Sequence, residues 1–135
     1  MTTPPWLTEP MGPTRILGKR AYDPPSDDDG MRVLVDRLWP RGVRKEDLAL
    51  DVWDKDVAPS TTLRHALHHE DLSYEDFVRR YRAELDAPAG RAALEALRAR
   101  ANGRVLTLVT ATKPVERSAV PVLIDLIPGG AQGHP

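Results

Sequence analysis

The chain has 135 residues, 41% hydrophobic and 29% charged, which fits one globular domain with a real core. Its 19 basic and 20 acidic side chains leave a net charge of −1, which excludes the strongly basic profile of a dedicated nucleic-acid module or a polybasic membrane anchor. There is no cysteine, so disulfides, thiolate zinc sites, thiol nucleophiles and iron–sulfur clusters are excluded together.

Six of the 13 prolines fall in the first 25 residues, and residues 1–13 read as a disordered lead-in. Arg15–Arg20 is a plausible strand around Ile16 and Leu17. Tyr22–Gly30 holds two prolines and three consecutive aspartates and reads as a loop, the aspartates forming an exposed acidic turn. Met31–Asp36 is compact and β-branched, which predicts a central strand. Pro40 and Gly42 then break regular structure, and Asp51–Asp56 reads as a short extended segment.

Three helices follow. Ser60 can cap one that carries Leu63, Ala66 and Leu67 on one stripe. Ser73 starts a second, with Asp76 completing a capping-box-like pattern. This helix lines up Tyr74, Phe77, Val78, Tyr81 and Leu85 on one apolar face. Pro88 separates it from Ala89–Ala101, which Asn102-Gly103 stops.

Arg104–Ala111 is the second clear strand. The last helix is expected to start at Ser118, so that Pro121 falls where its missing N–H costs nothing. The tail, 128–135, reads as flexible. The fold class expected is a small single-domain α/β sandwich over 14–127, with a short, mainly parallel central sheet flanked by helices. The two apolar runs, Val33–Val35 and Val105–Val109, should be adjacent buried strands.

The chemistry concentrates in Asp36-Arg-Leu-Trp-Pro-Arg-Gly42. Here an irregular loop leaves the carboxyl end of a buried strand carrying Arg37, Arg41, Arg44 and Lys45, and ligands of open α/β sheets sit at such ends. Arginine's planar fork suits carboxylate and phosphate. The second strand runs out through Thr110-Ala-Thr-Lys-Pro-Val-Glu-Arg-Ser118 into a helix N-terminus. If the two strands are parallel neighbours, Arg37, Trp39, Arg41, Lys113, Arg117 and Ser118 converge on a cleft for a small anionic ligand. The competing reading is that Arg37 pairs with Asp36, Asp54 or Asp56, Trp39 covers the core, and the loop is structural. In that case the protein is a non-catalytic interaction or accessory domain. With 15 arginines and four lysines, any one arginine says little.

The sequence resembles the YeaO-like bacterial family, domain of unknown function 488, across about Ile16 to Leu126. The resemblance rests on Tyr22-Asp-Pro-Pro25, Gly30 with Arg32 through Gly42, Trp53, Ala58-Pro-Ser60, Leu63-Arg64, Phe77 and Tyr81-Arg-Ala-Glu-Leu85. It implies a small cytoplasmic α/β protein and supplies no activity. Relatives typically follow the last strand with an Ala-Ala-Lys-Asp-like stretch, an acidic pair and His-Asn-His. Here Lys113 stands at the aspartate position, and Glu116, Arg117 and Ser118 stand at the other three.

Weaker signals are weighed the same way. His65 and His69 have the spacing of a helical metal pair, with Glu70 or Asp71 as an oxygen donor, but late-helix histidines that complement the helix dipole are the preferred reading. No metal and no cofactor are assigned. The arginines of 79–104 lack interleaved aromatics and read as a solvated helix face, so no specific nucleic-acid partner is expected. No membrane partner is expected either, and a homo-oligomer is left open.

Overall fold

A computed structural model describes residues 12–69 and 71–127. The predicted tail at 128–135, most of the lead-in and Glu70 lie outside the described residues. The inner end of the lead-in, Gly12 and Pro13, is buried, and the Gly12 carbonyl accepts the Gly103 amide at 3.0 Å. No helix among the described residues is long and apolar enough to cross a membrane.

Four parallel strands form one sheet: β1 (Arg15–Arg20), β2 (Met31–Leu34), β3 (Val52–Trp53) and β4 (Val105–Thr110), in the order β1-β4-β2-β3. The two apolar runs are therefore the central neighbours that their composition predicts, with Val33 opposite Leu108. β2 is shorter than expected, but the Val35 amide still donates to the Val109 carbonyl at 3.0 Å, so the strand ends only as Asp36 begins.

Alternation divides the two faces. Met31, Val33, Val35, Leu106 and Leu108 face helices α2 (Thr61–His69), α3 (Tyr74–Asp86), α4 (Pro88–Arg100) and α5 (Val120–Leu126). Leu34 and Val109 face a smaller core with Ala21, Leu48, Trp39 and Trp53, closed by the one-turn helix α1 (Lys45–Leu48). α1 was not expected, because its polar sequence carries one inward residue, Leu48.

The caps follow local chemistry. The Ser60 and Ser73 hydroxyls accept the Leu63 and Asp76 amides, both at 3.1 Å. Pro88 opens α4 at its first helical position, where a missing N–H is harmless. Phe77, Tyr81 and Leu85 form the buried stripe of α3, and the Tyr81 hydroxyl donates to the Val57 carbonyl.

Two expectations need correction. The last helix does not start at Ser118. Ala119 is its N-cap, and Ser118 is extended and ends the 3-10 turn Val115–Arg117. The aspartate run is not wholly an exposed turn. Ser26 caps a 3-10 turn over Asp27–Asp29, and Asp29 is buried, pairing with Arg32 at 2.6 Å and Lys19 at 3.0 Å. Burial alone would raise the Asp29 carboxyl, but the Ser26 amide, Lys19 and Arg32 outweigh it and hold it below the usual aspartate value. Gly30 then turns the chain at φ +62, where any side chain would meet the Val105 carbonyl.

Candidate functional site

Loops leaving the carboxyl ends of β1, β2 and β4 meet the inner end of α2 and the region before α5. They enclose a cleft of about 470 Å³, the size of a small-molecule site. Tyr22 comes from the β1 loop, Asp36 through Arg41 from the β2 loop, and Ala111 and Thr112 from the β4 loop. Pro59, Arg64, Leu67, His68 and His69 come from the α2 side, and Phe77, Ser118 and Ala119 complete the lining.

Asp36 anchors the loop. Its two carboxylate oxygens accept the Thr110 hydroxyl at 2.6 Å and the Ala111 amide at 2.7 Å, and its carbonyl accepts the Trp53 indole at 2.7 Å. These bonds stitch the ends of β2, β3 and β4 together. Burial raises the Asp36 carboxyl above the usual value, opposed by the Ala111 and Thr110 hydrogen bonds and by the charges of His68 and Arg64.

Arg37 lines the cleft, and the carboxylate pairing of the competing reading, with Asp36, Asp54 or Asp56, is not formed. Its guanidinium donates to three backbone carbonyls, Pro59 at 2.9 Å and Lys55 and Ala58 at 3.3 Å. Asp54 is engaged elsewhere, accepting the Asp56 and Val57 amides at 3.1 and 3.3 Å. Arg37 thus clips the β2 loop to the segment that leads into α2, and lines the cleft while doing so.

Trp39 both lines the cleft and covers the smaller core. Its indole donates to the Val43 carbonyl at 2.7 Å and packs edge-on to Trp53 at 5.4 Å. Arg41 is exposed at the cleft, and its side chain has no hydrogen bond or ion pair among the described residues. Only its carbonyl is engaged, accepting the Tyr22 hydroxyl at 3.1 Å.

The β4 half of the prediction fares differently. Lys113 and Arg117 are exposed and do not line the cleft, and the Arg117 guanidinium lies 5.5 Å from the centre of the Tyr74 ring. Ser118 does line the cleft but is buried and spent. Its hydroxyl donates to the Val115 carbonyl at 2.6 Å and accepts the Val120 amide at 3.0 Å, so the hydroxyl and that amide are both engaged locally.

What the sequence reading missed is α2. Arg64, His68 and His69 face the same cleft as Arg41. The guanidinium of Arg64 has no hydrogen bond or ion pair among the described residues, though its charge bears on Asp36 and His68. Partial burial, with the charges of Arg64 and His69, lowers the His68 imidazole below the usual histidine value, while Asp36 pulls the other way. The family-like Leu63-Arg64 pair was the available signal, but spacing alone does not say which helix face closes over a sheet end. The His65 and His69 rings lie 4.7 Å apart, and no group of three histidine, aspartate or glutamate residues among the described residues could hold a metal ion.

Comparison with known proteins gives a family. A family model described as the inactive DUF488-N3 subclade matches residues 15–132. An uncharacterised protein of Mycobacterium tuberculosis is 46% identical over 116 residues, which cover 86% of this chain and 96% of that protein, and one of Mycobacterium bovis matches equally. The uncharacterised protein YeaO of Escherichia coli is 59% identical over 70 residues, 52% of this chain and 61% of YeaO. No solved structure matches significantly.

Proposed function

The chain belongs to the YeaO-like DUF488 family, and we propose that it binds a small phosphate- or carboxylate-bearing ligand in the cleft at the carboxyl end of its sheet. The observation that carries this reading is the charge balance of the lining. Arg41 and Arg64 bring two guanidinium groups without hydrogen-bonded partners among the described residues, and His68 and His69 stand beside them. Against them stands one lining carboxylate among the described residues, Asp36, with both oxygens already accepting hydrogen bonds. Guanidinium groups recognise such oxyanions through paired N–H donors.

Binding here proceeds without turnover. The matched subclade is described as inactive, and Lys113, Glu116, Arg117 and Ser118 replace the polar residues that relatives are expected to carry after the last strand. The purely structural reading of the loop is supported at Arg37, whose guanidinium donates to three backbone carbonyls. It does not account for Arg41 or Arg64.

Thermal melts of the wild-type chain with and without millimolar sulfate or phosphate test the reading. A ligand that binds only the folded state raises the melting temperature in proportion to its occupancy. A concentration-dependent rise, lost in the Arg41→Ala/Arg64→Ala variant, is expected. A wild type whose melting is indifferent to both anions would leave the loop as scaffold.

A further inference from the structure

The cleft is larger than its charges require. A bare sulfate or phosphate fills only a small part of about 470 Å³. The rest is bounded by Leu38, Trp39, Pro40, Leu67, Phe77 and Ala119. Phe77 and Ala119 are buried, whereas Arg41, His68 and His69 are exposed, so buried apolar surface and exposed cationic groups share the lining. Leu38 is 54% exposed and Tyr22 47%, an apolar lip that a purely inorganic guest would leave in water.

The lining also carries a carboxylate. The Asp36 carboxylate is partly buried, held by Thr110 and Ala111, and forms no ion pair among the described residues, though the charges of His68 and Arg64 reach it. A second anionic group set against it would meet a like charge in a partly buried place, which is unfavourable. An apolar end, or one bearing an N–H or O–H donor, would not.

Resting on the anion-binding reading above, we propose that the ligand is an organic monoester or monocarboxylate with a ring-sized apolar body, its anionic head at Arg41 and Arg64 and no second charge set against Asp36. Asp36 is then a specificity residue that rejects guests charged at both ends. Trp39 and Phe77 supply the walls that the body packs against.

Titration of the 15N-labelled full chain with inorganic phosphate, phenyl phosphate and 4-carboxyphenyl phosphate separates the parts of this proposal. The Trp39 indole and the Ala111 and Thr112 amides are the reporters. Phenyl phosphate should bind at least about tenfold more tightly than inorganic phosphate, as expected for burying one ring. The 4-carboxy compound should bind more weakly than phenyl phosphate, and Asp36→Asn should narrow that gap. If no compound shifts any reporter, the anion-binding reading falls, and this one with it. If inorganic phosphate binds as tightly as phenyl phosphate, anion binding stands and the apolar body is overturned. If the 4-carboxy compound matches phenyl phosphate on the wild-type protein, the role of Asp36 is overturned, whether or not the Asp36→Asn variant folds.

Discussion

Two arginine sites flank β2, one at each end, and they have opposite characters. At the amino end, Arg32 is buried against Asp29 at 2.6 Å and also donates to the Leu48 carbonyl at 2.8 and 3.1 Å. At the carboxyl end, Arg41 and Arg64 line a cleft with no such bonds among the described residues. The residue type is the same. One site is closed by its own carboxylate and carbonyl, and the other leaves its donors to whatever enters. Between them stands Arg37, closed by carbonyls instead of a carboxylate.

The largest difference should appear on removing Arg32. Arg32→Met leaves the Asp29 carboxylate buried beside Lys19 alone and should cost about 3–5 kcal/mol. That corresponds to a drop of well over ten degrees in a domain of this size, read by calorimetry. Acid sharpens the same contrast. Asp29 is held below its ordinary 3.8 in the folded protein, so its contribution is complete above that value and fades as pH falls through the lowered one. Denaturant midpoints measured from about pH 5 down to about pH 2 should fall in the wild type and flatten in Arg32→Met. Equal slopes would contradict the closed site.

Arg37→Ala should be intermediate. It frees three carbonyls that water partly reaches, and a loss of about 1–3 kcal/mol is expected in urea melts. A loss as large as that of Arg32 would mean an unrecognised carboxylate partner. Arg41→Ala should change folding by no more than about 0.5 kcal/mol, since its side chain holds nothing within the described fold, while abolishing stabilisation by sulfate.

The smallest effect concerns His68. Its imidazole sits below its ordinary 6.5, facing Arg64, His69 and Asp36, so it is mostly neutral at neutral pH. It gains its charge only as pH falls below that ordinary value. Sulfate, whose own charge is constant in this range, should therefore bind a few-fold more tightly at about pH 5.5 than at about pH 7.5. His68→Gln should remove that gradient in calorimetric titrations. In the ligand-free protein the sign reverses, because the unfolded chain takes up this proton first, and His68 lowers stability as the solution is acidified.

The sequence carried the frame well. The apolar runs at 33–35 and 105–109 announce buried parallel neighbours, and the loop after Asp36 can only emerge at their carboxyl ends. Arg41 and Trp39 were legible for that reason. Lys113 and Arg117 were not. They follow the right strand, but Lys113 is exposed outside the cleft, and the 3-10 turn at Val115–Arg117 leaves Arg117 beside the Tyr74 ring; no periodicity betrays so short a turn. Arg64 and His68 were invisible for the opposite reason, since they lie on a helix whose docking depends on Glu84 holding the Ser60 amide and hydroxyl at 3.0 and 2.5 Å. Such a contact spans two helices and leaves no local trace. The Asp29–Arg32 pair was hidden inside a run of aspartates whose composition resembles an exposed turn.

The contrast between closed and open arginines is tested most directly by the side-chain Nε–H resonances of the 15N-labelled protein during a sulfate titration. Arg41 and Arg64 should shift together with one binding curve, while Arg32 and Arg37 stay in place, already held by Leu48 and Pro59. Resonances of Arg41 and Arg64 that stay still, or that move no more than those of surface arginines such as Arg79, would contradict the account.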